Sequence, residues 1–169
     1  MAPRGLTFYA RMFLNEPASL RRALDAPVLV WEAPPETAGE EVLFGTFSGI
    51  SAPRPTRTEP IVYELKKGSG LANAFALGIT IGRTGNNDVH MEDHSVSRFH
   101  AYIQKDPKGR WTLVDAESKN GTFLDGKKLS GRTPLFLQNG SKLTIGSVVV
   151  TFFQPDAFIE YLKARLDES

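Results

Sequence analysis

Between Pro60 and Gln154 the chain is cut into short pieces, and a turn signal interrupts each apolar run. The pieces are rich in β-branched and aromatic residues: IVYELKK, AFALGITIGR, HAYIQK, RWTLVDA, GTFLD, SKLTIG and SVVVTFF. The separators include DPKG, KNG, DGK and QNG. Asn-Gly and Asp-Gly favour the positive φ angles of tight hairpins, so these are strand-turn-strand signals. Many short strands at close spacing predict an all-β sandwich or barrel. No long helical pattern falls inside this stretch, which argues against a βαβ nucleotide fold. SVVVTFF is apolar on both faces and is therefore expected to be a central strand.

Residues 1–59 and 155–169 read differently from this core, giving three parts: an N-terminal extension (1–59), a β domain (60–154) and a C-terminal helix (155–169). NEPASLRRALDAP predicts one short helix, with Asn15 as its cap, Pro17 in its first turn and Pro27 as its stop. Met12, Phe13, Leu20 and Leu24 would form its apolar face. VLVWEA predicts a short buried strand, and the Pro-, Gly- and Thr-rich segments after it read as loop or linker. PDAFIEYLKARLDES places Phe158, Ile159, Leu162 and Leu166 on one helical face, with Asp156 as cap. Both extensions are expected to pack on the sandwich, Trp31, Phe44 and Phe47 supplying apolar material, because a short helix is marginal alone.

Twenty basic residues against nineteen acidic ones leave a formal charge of +1, without the excess of a protein that coats nucleic acid. The absence of cysteine excludes disulfides and thiolate metal sites. No apolar run approaches the roughly 20 residues of a membrane span, and the N-terminus lacks a signal-peptide core. A soluble, cytoplasmic protein is expected.

The polar residues at strand ends are the informative ones. Arg83 follows ITIG, Ser97 and Arg98 precede HAYIQK, and Lys119 and Asn120 precede GTFLD. Loops from one end of a sandwich cluster in space, so these side chains can meet one ligand. The set holds cations, a hydroxyl and an amide, and no nucleophile–base pair. Arginine matches two phosphate oxygens with a planar fork of donors, and a serine hydroxyl completes the shell. Asparagine both donates to and accepts from a peptide backbone. A phosphorylated residue within an extended peptide fits these groups better than free phosphate.

IGR, NDV, HSVSRFHA, SKNGTFLDGKKL and LQNGSKLTIG together resemble the forkhead-associated (FHA) domain in order and spacing, over roughly Pro60 to Gln154. The resemblance implies a β-sandwich of about eleven strands with short helical extensions here. It also implies a non-catalytic module that reads phosphothreonine peptides in Ser/Thr kinase signalling and needs no cofactor. On that resemblance Arg83 grips the phosphate, Ser97 bonds it, and Arg98 is a second phosphate contact. Asn120 holds the peptide backbone, and Lys119 touches phosphate or peptide. His100 braces the loops, and Gly82 and Gly121 serve turns. Ser95 and the segment after Asn120 are candidates for choosing the third residue after the phosphothreonine.

The expected partner is a phosphothreonine-containing protein or peptide, from a Ser/Thr kinase or its substrate, with neither nucleic acid nor membrane. Thr58, in RTEPI, suggests phosphorylation-dependent self-association. The competing expectation is a scaffold whose loops bind no phosphate and whose extensions make the contacts. His90 and His94 in HMEDH lack the order of a zinc helix, so no metal is expected. A Ser97–His100–Asp93 hydrolase lacks the nucleophile elbow. The lysines of ELKK and DGKK read as solvated strand ends.

Overall fold

The residues from Val148 to Phe153 pair with strands on both sides, as apolar character on both faces predicts. The computed structural model describes residues 2–32, 59–68 and 78–169. Thr58, Phe44 and Phe47, and with them the self-association expectation, lie outside those residues.

In chain order the described elements are β1 (Arg4–Gly5), α1 (Leu6–Asn15), α2 (Pro17–Ala23), β2 (Val28–Trp31), β3 (Ile61–Glu64), β4 (Ile79–Gly82) and β5 (Val89–His90). There follow β6 (Ala101–Lys105), β7 (Trp111–Asp115), β8 (Thr122–Leu124), β9 (Lys127–Lys128), β10 (Leu135–Phe136), β11 (Lys142–Ile145), β12 (Val148–Phe153) and α3 (Pro155–Asp167). The larger sheet has the order β1-β3-β2-β12-β11-β8-β9, and the smaller β10-β7-β6-β4-β5. All pairings are antiparallel except β4 with β5. The strand Val28–Trp31, from the part of the sequence read as an extension, sits inside the larger sheet between β3 and β12.

Side-chain alternation produces two cores. Leu29, Trp31, Leu143, Val150 and Phe152 of the larger sheet meet Ile81, Ile103 and Leu113 of the smaller one. The opposite face of β2 and β3, through Val28, Val30 and Val62, packs under Leu6, Tyr9, Leu20, Phe158, Ile159 and Leu162 of the three helices. All four residues of β2 are buried because both its faces are covered. The C-terminal helix does pack on the sandwich, burying Phe158, Ile159 and Leu162.

Two N-terminal details differ from the expectation. Met12 and Phe13 belong to a separate helix, α1, and Asn15 is that helix's last residue. Glu16, outside the helical region at φ −153° and ψ 86°, takes the cap position of α2. The cause is Pro17: a residue before proline is pushed out of the helical region, so the helix breaks there. Gln154, before Pro155, likewise replaces Asp156 as the cap position of α3. Neither cap residue makes a side-chain cap hydrogen bond.

Turn chemistry follows the sequence closely. Asp125 and Gly126 have φ of 48° and 83° between β8 and β9, and Gly121 after Asn120 has φ 87°. In DPKG, Asp106 Oδ1 accepts from the Lys108 and Arg110 N–H groups at 2.9 and 2.8 Å.

Candidate functional site

Antiparallel register decides which loops meet. Ile81 faces Ala101, and Ala101 faces Asp115. The end of β4, the start of β6 and the end of β7 therefore lie side by side. Arg83, Ser97–Arg98 and Lys119–Asn120 leave the smaller sheet at this one edge.

Backbone and side-chain bonds lock these segments together. The Arg83 N–H donates to the Ser97 carbonyl at 2.9 Å. Its side-chain Nε–H donates to the Val96 carbonyl at 3.0 Å, which leaves both terminal NH₂ groups of this exposed residue for a ligand. Ser97 Oγ accepts from the Lys119 N–H at 3.1 Å, so its own proton remains for an incoming acceptor. Asn120 Nδ2 donates to the Ser95 carbonyl at 2.8 Å, leaving one N–H and the amide oxygen.

His100 holds the centre. It is fully buried, and its backbone extends the β-ladder through the Ile81 carbonyl and the Ala116 N–H. Nδ1 accepts from the Ser97 N–H at 2.9 Å, and Nε2 lies 2.9 Å from the Gly121 carbonyl. The first contact makes Nδ1 an acceptor, so the proton of the neutral ring sits on Nε2 and points at Gly121. Burial holds the imidazole pKa below its ordinary value, against the opposing pulls of the Gly121 carbonyl and Asp115. With both His100 nitrogens on backbone groups and Ser97 Oγ bonded to the Lys119 N–H, Ser97 and His100 do not form a nucleophile pair.

Further contacts set the loop shape. A Cβ on Gly82 would run into the Arg98 carbonyl, so only glycine lets the Ser97–Arg98 loop approach β4 so closely. Asn87 Nδ2 donates to that same carbonyl at 2.6 Å. Asp88, one residue on, accepts from the backbone of Thr80 and Gly68 and from Lys67 Nζ. Burial raises its pKa, but these donors together outweigh burial and hold it below the usual carboxylate value. Asp115 Oδ1 accepts from Ser118 Oγ and Thr122 Oγ1, both at 2.6 Å, fixing the turn that carries Lys119 and Asn120.

A fourth loop joins them, one the sequence reading did not place here. Ser147, in the β11–β12 turn, donates its N–H to Ser95 Oγ at 2.8 Å. Ser95 Oγ in turn donates to Asp93 Oδ1 at 2.6 Å. The Ser95 hydroxyl, foremost among its causes, keeps the Asp93 pKa low. The break between SKLTIG and SVVVTFF placed the turn but not its end of the sandwich. That follows only from the pairing of β11 with both β8 and β12.

Among the described residues no carboxylate lies within 4.0 Å of Arg83, Arg98 or Lys119. The lysines of ELKK, by contrast, are paired: Lys66 with Asp25 and Glu64, and Lys67 with Asp88. The lysines of ELKK are thus engaged, not merely solvated.

A two-sheet sandwich that gathers unneutralised cations and a hydroxyl on rigid loops at one edge has the layout of a binding module for an anionic ligand. Residues 79–146 match the family model described as the FHA domain. The chain of 169 residues thus carries an FHA domain over residues 79–146. It is 29% identical over 143 residues to the glycogen accumulation regulator GarA of Mycolicibacterium smegmatis, covering 83% of this chain and 75% of that protein. It is 37% identical over 81 residues to the Mus musculus protein angiogenic factor with G patch and FHA domains 1, covering 43% of this chain but 11% of that protein. Among solved structures it is similar to the N-terminal FHA domain of S. cerevisiae Rad53p in complex with a phosphothreonine peptide. That match has a TM-score of 0.47 and 25% identity, over 57% of this chain and 86% of the other.

Proposed function

We propose that the Arg83–Ser97–Asn120 edge binds a phosphothreonine within an extended peptide, and that the protein recruits phosphorylated partners in Ser/Thr kinase signalling without performing catalysis. In this reading Arg83 and Ser97 take the phosphate, Arg98 and Lys119 add charge, and Asn120 pairs with the peptide backbone. Gly82, His100 and Gly121 hold the loops. The recognition unit is residues 60–154 completed by β2, and the rest of residues 1–59 with 155–169 forms its supporting layer.

One observation carries this reading: Arg83 is anchored through Nε, Ser97 retains its proton, and neither Arg83, Arg98 nor Lys119 has a carboxylate neighbour among the described residues. Cations left unneutralised beside a free hydroxyl form a shell for a dianion. Titration calorimetry of the full chain with phosphothreonine and unmodified versions of one peptide library tests it. Binding that requires the phosphate is expected. Arg83→Ala should weaken it by about 2 kcal/mol or more, since a charge-assisted pair is lost. Affinity should fall below roughly pH 6, where phosphate loses its second charge. A chain that binds no phosphorylated member, or an Arg83→Ala variant of equal affinity, overturns the assignment.

A further inference from the structure

The lysines of DGKK behave unlike those of ELKK. Lys128 lies on the edge strand β9, opposite Phe123 of β8. It is exposed, and no carboxylate lies within 4.0 Å of it among the described residues. Its stem runs back over the turn that carries Asn120: a Cβ built on Gly121 would sit 3.2 Å from Lys128 Cε and 3.3 Å from the Phe123 ring. Acids in the β7–β8 and β8–β9 turns have other engagements. Asp125 accepts from the Lys142 N–H at 2.8 Å, and Glu117 pairs with Arg132 at 3.6 Å.

We infer that Lys128 forms a second anion subsite, for a carboxylate side chain of the bound peptide on the Asn120 side of the phosphothreonine. The inference rests on the reading above and deepens it by naming the ligand's neighbouring chemistry. The positions follow one another along the surface: Arg83 and Ser97, then Lys119, then Asn120 and Gly121, then Lys128. A peptide backbone held by the Asn120 amide passes the turn over which Lys128 lies. A compact ammonium on a four-carbon stem reaches a carboxylate there without demanding one geometry. The glycine matters, because a side chain at residue 121 would occupy the path of the lysine stem as well as straining the positive φ of 87°. Phe123, the cross-strand partner of Lys128, supplies apolar surface beside the same turn, of the kind lysine methylene groups cover.

A solvent-exposed ion pair is worth little, so the expected preference is modest: about threefold to fivefold tighter binding of the acidic peptide. The test uses the full chain and phosphothreonine peptides that differ by single Asp-to-Asn and Glu-to-Gln replacements at successive positions after the phosphothreonine. One acidic position should give that ratio, and raising the salt concentration should shrink it. Lys128→Gln should bring the ratio to about one, and Lys128→Glu should reverse it in favour of a lysine-bearing peptide. Lys163→Gln, on α3, should leave the ratio in place. A wild-type chain that binds every phosphopeptide alike, or a Lys128→Gln variant that keeps the acidic preference, overturns the subsite while leaving phosphothreonine binding standing. A wild-type chain that binds none of them overturns both.

Discussion

His100 ties together two loops that the sequence separates by more than twenty residues, one nitrogen to Ser97 and the other to Gly121. His100→Ala leaves the Ser97 N–H and the Gly121 carbonyl without partners in a buried setting. The expected cost is about 3 kcal/mol by urea denaturation, together with weaker phosphopeptide binding. Protonation acts on the same link. The folded state holds the His100 pKa below its unfolded value, so the unfolded chain takes up the proton first as pH falls. The contribution of this residue is complete above the unfolded value of about 6.5 and is lost as pH drops from there through the depressed folded value. Stability measured from pH 7 downward should decline in the wild type, and the His100→Gln variant should lack that component. At Gly82 the constraint is steric, since any Cβ meets the Arg98 carbonyl. Gly82→Ala should push the Ser97–Arg98 loop away from β4 and destabilise the fold by about 1–3 kcal/mol, seen as a lower urea midpoint.

Elements of four or more residues with a clear period were readable; elements made by partners were not. The strands from Ile61, Ala101, Trp111, Lys142 and Val148 announce themselves by short β-branched and aromatic runs, and Asn139-Gly140 marks the start of the one from Lys142. The two-residue strands Val89–His90, Lys127–Lys128 and Leu135–Phe136 have no period, and exist because a neighbouring strand offers an edge. Pro17 was legible as a helix start, but its effect on the residue before it was not carried through, and two helices were read as one. That Arg83, Ser97, Arg98, Lys119 and Asn120 share one edge was legible because each stands next to a strand end in sequence. The brace at Ser147 was not, because its partner Ser95 lies 52 residues away. The link between helix and sheet was hidden for the same reason. Tyr9 of α1 donates its hydroxyl to Glu64 of β3 at 2.8 Å, and burial with that carboxylate keeps the phenol from ionising. Glu64 also pairs with Lys66, which reaches Asp25 beyond α2. Tyr9→Phe keeps the ring against Phe158 but removes the donor, and should cost about 1 kcal/mol in thermal or urea melts without changing peptide affinity.

At the scale of the whole molecule, the described segments outside the family match are structural parts of the sandwich. β2 fills the place between β3 and β12, so a chain beginning at residue 59 would have to close a gap inside its larger sheet. The helical layer then covers the face of β2 and β3 that points away from the smaller sheet, where Val28, Val30 and Val62 are fully buried. α3 contributes Phe158, Ile159 and Leu162 to that layer, each almost wholly buried. A buried side chain of this kind is worth roughly 1.5–3 kcal/mol, so three of them approach the whole stability of an ordinary domain, about 5–15 kcal/mol. Removing residues 155–169 takes away that burial and part of the cover over the valines. No residue of α3 touches the loops at the Arg83 edge in any hydrogen bond or ion pair among the described residues. The shortened chain should therefore melt about 10–20 °C lower than the full chain and bind an apolar dye. Below its own melting point it should retain its phosphopeptide affinity. Calorimetric melting followed by a peptide titration of both chains reads the two outcomes separately. An unchanged melting temperature would mean that the helical layer does not hold the sheet. Loss of affinity in a chain still folded would mean that the layer acts on the loops directly.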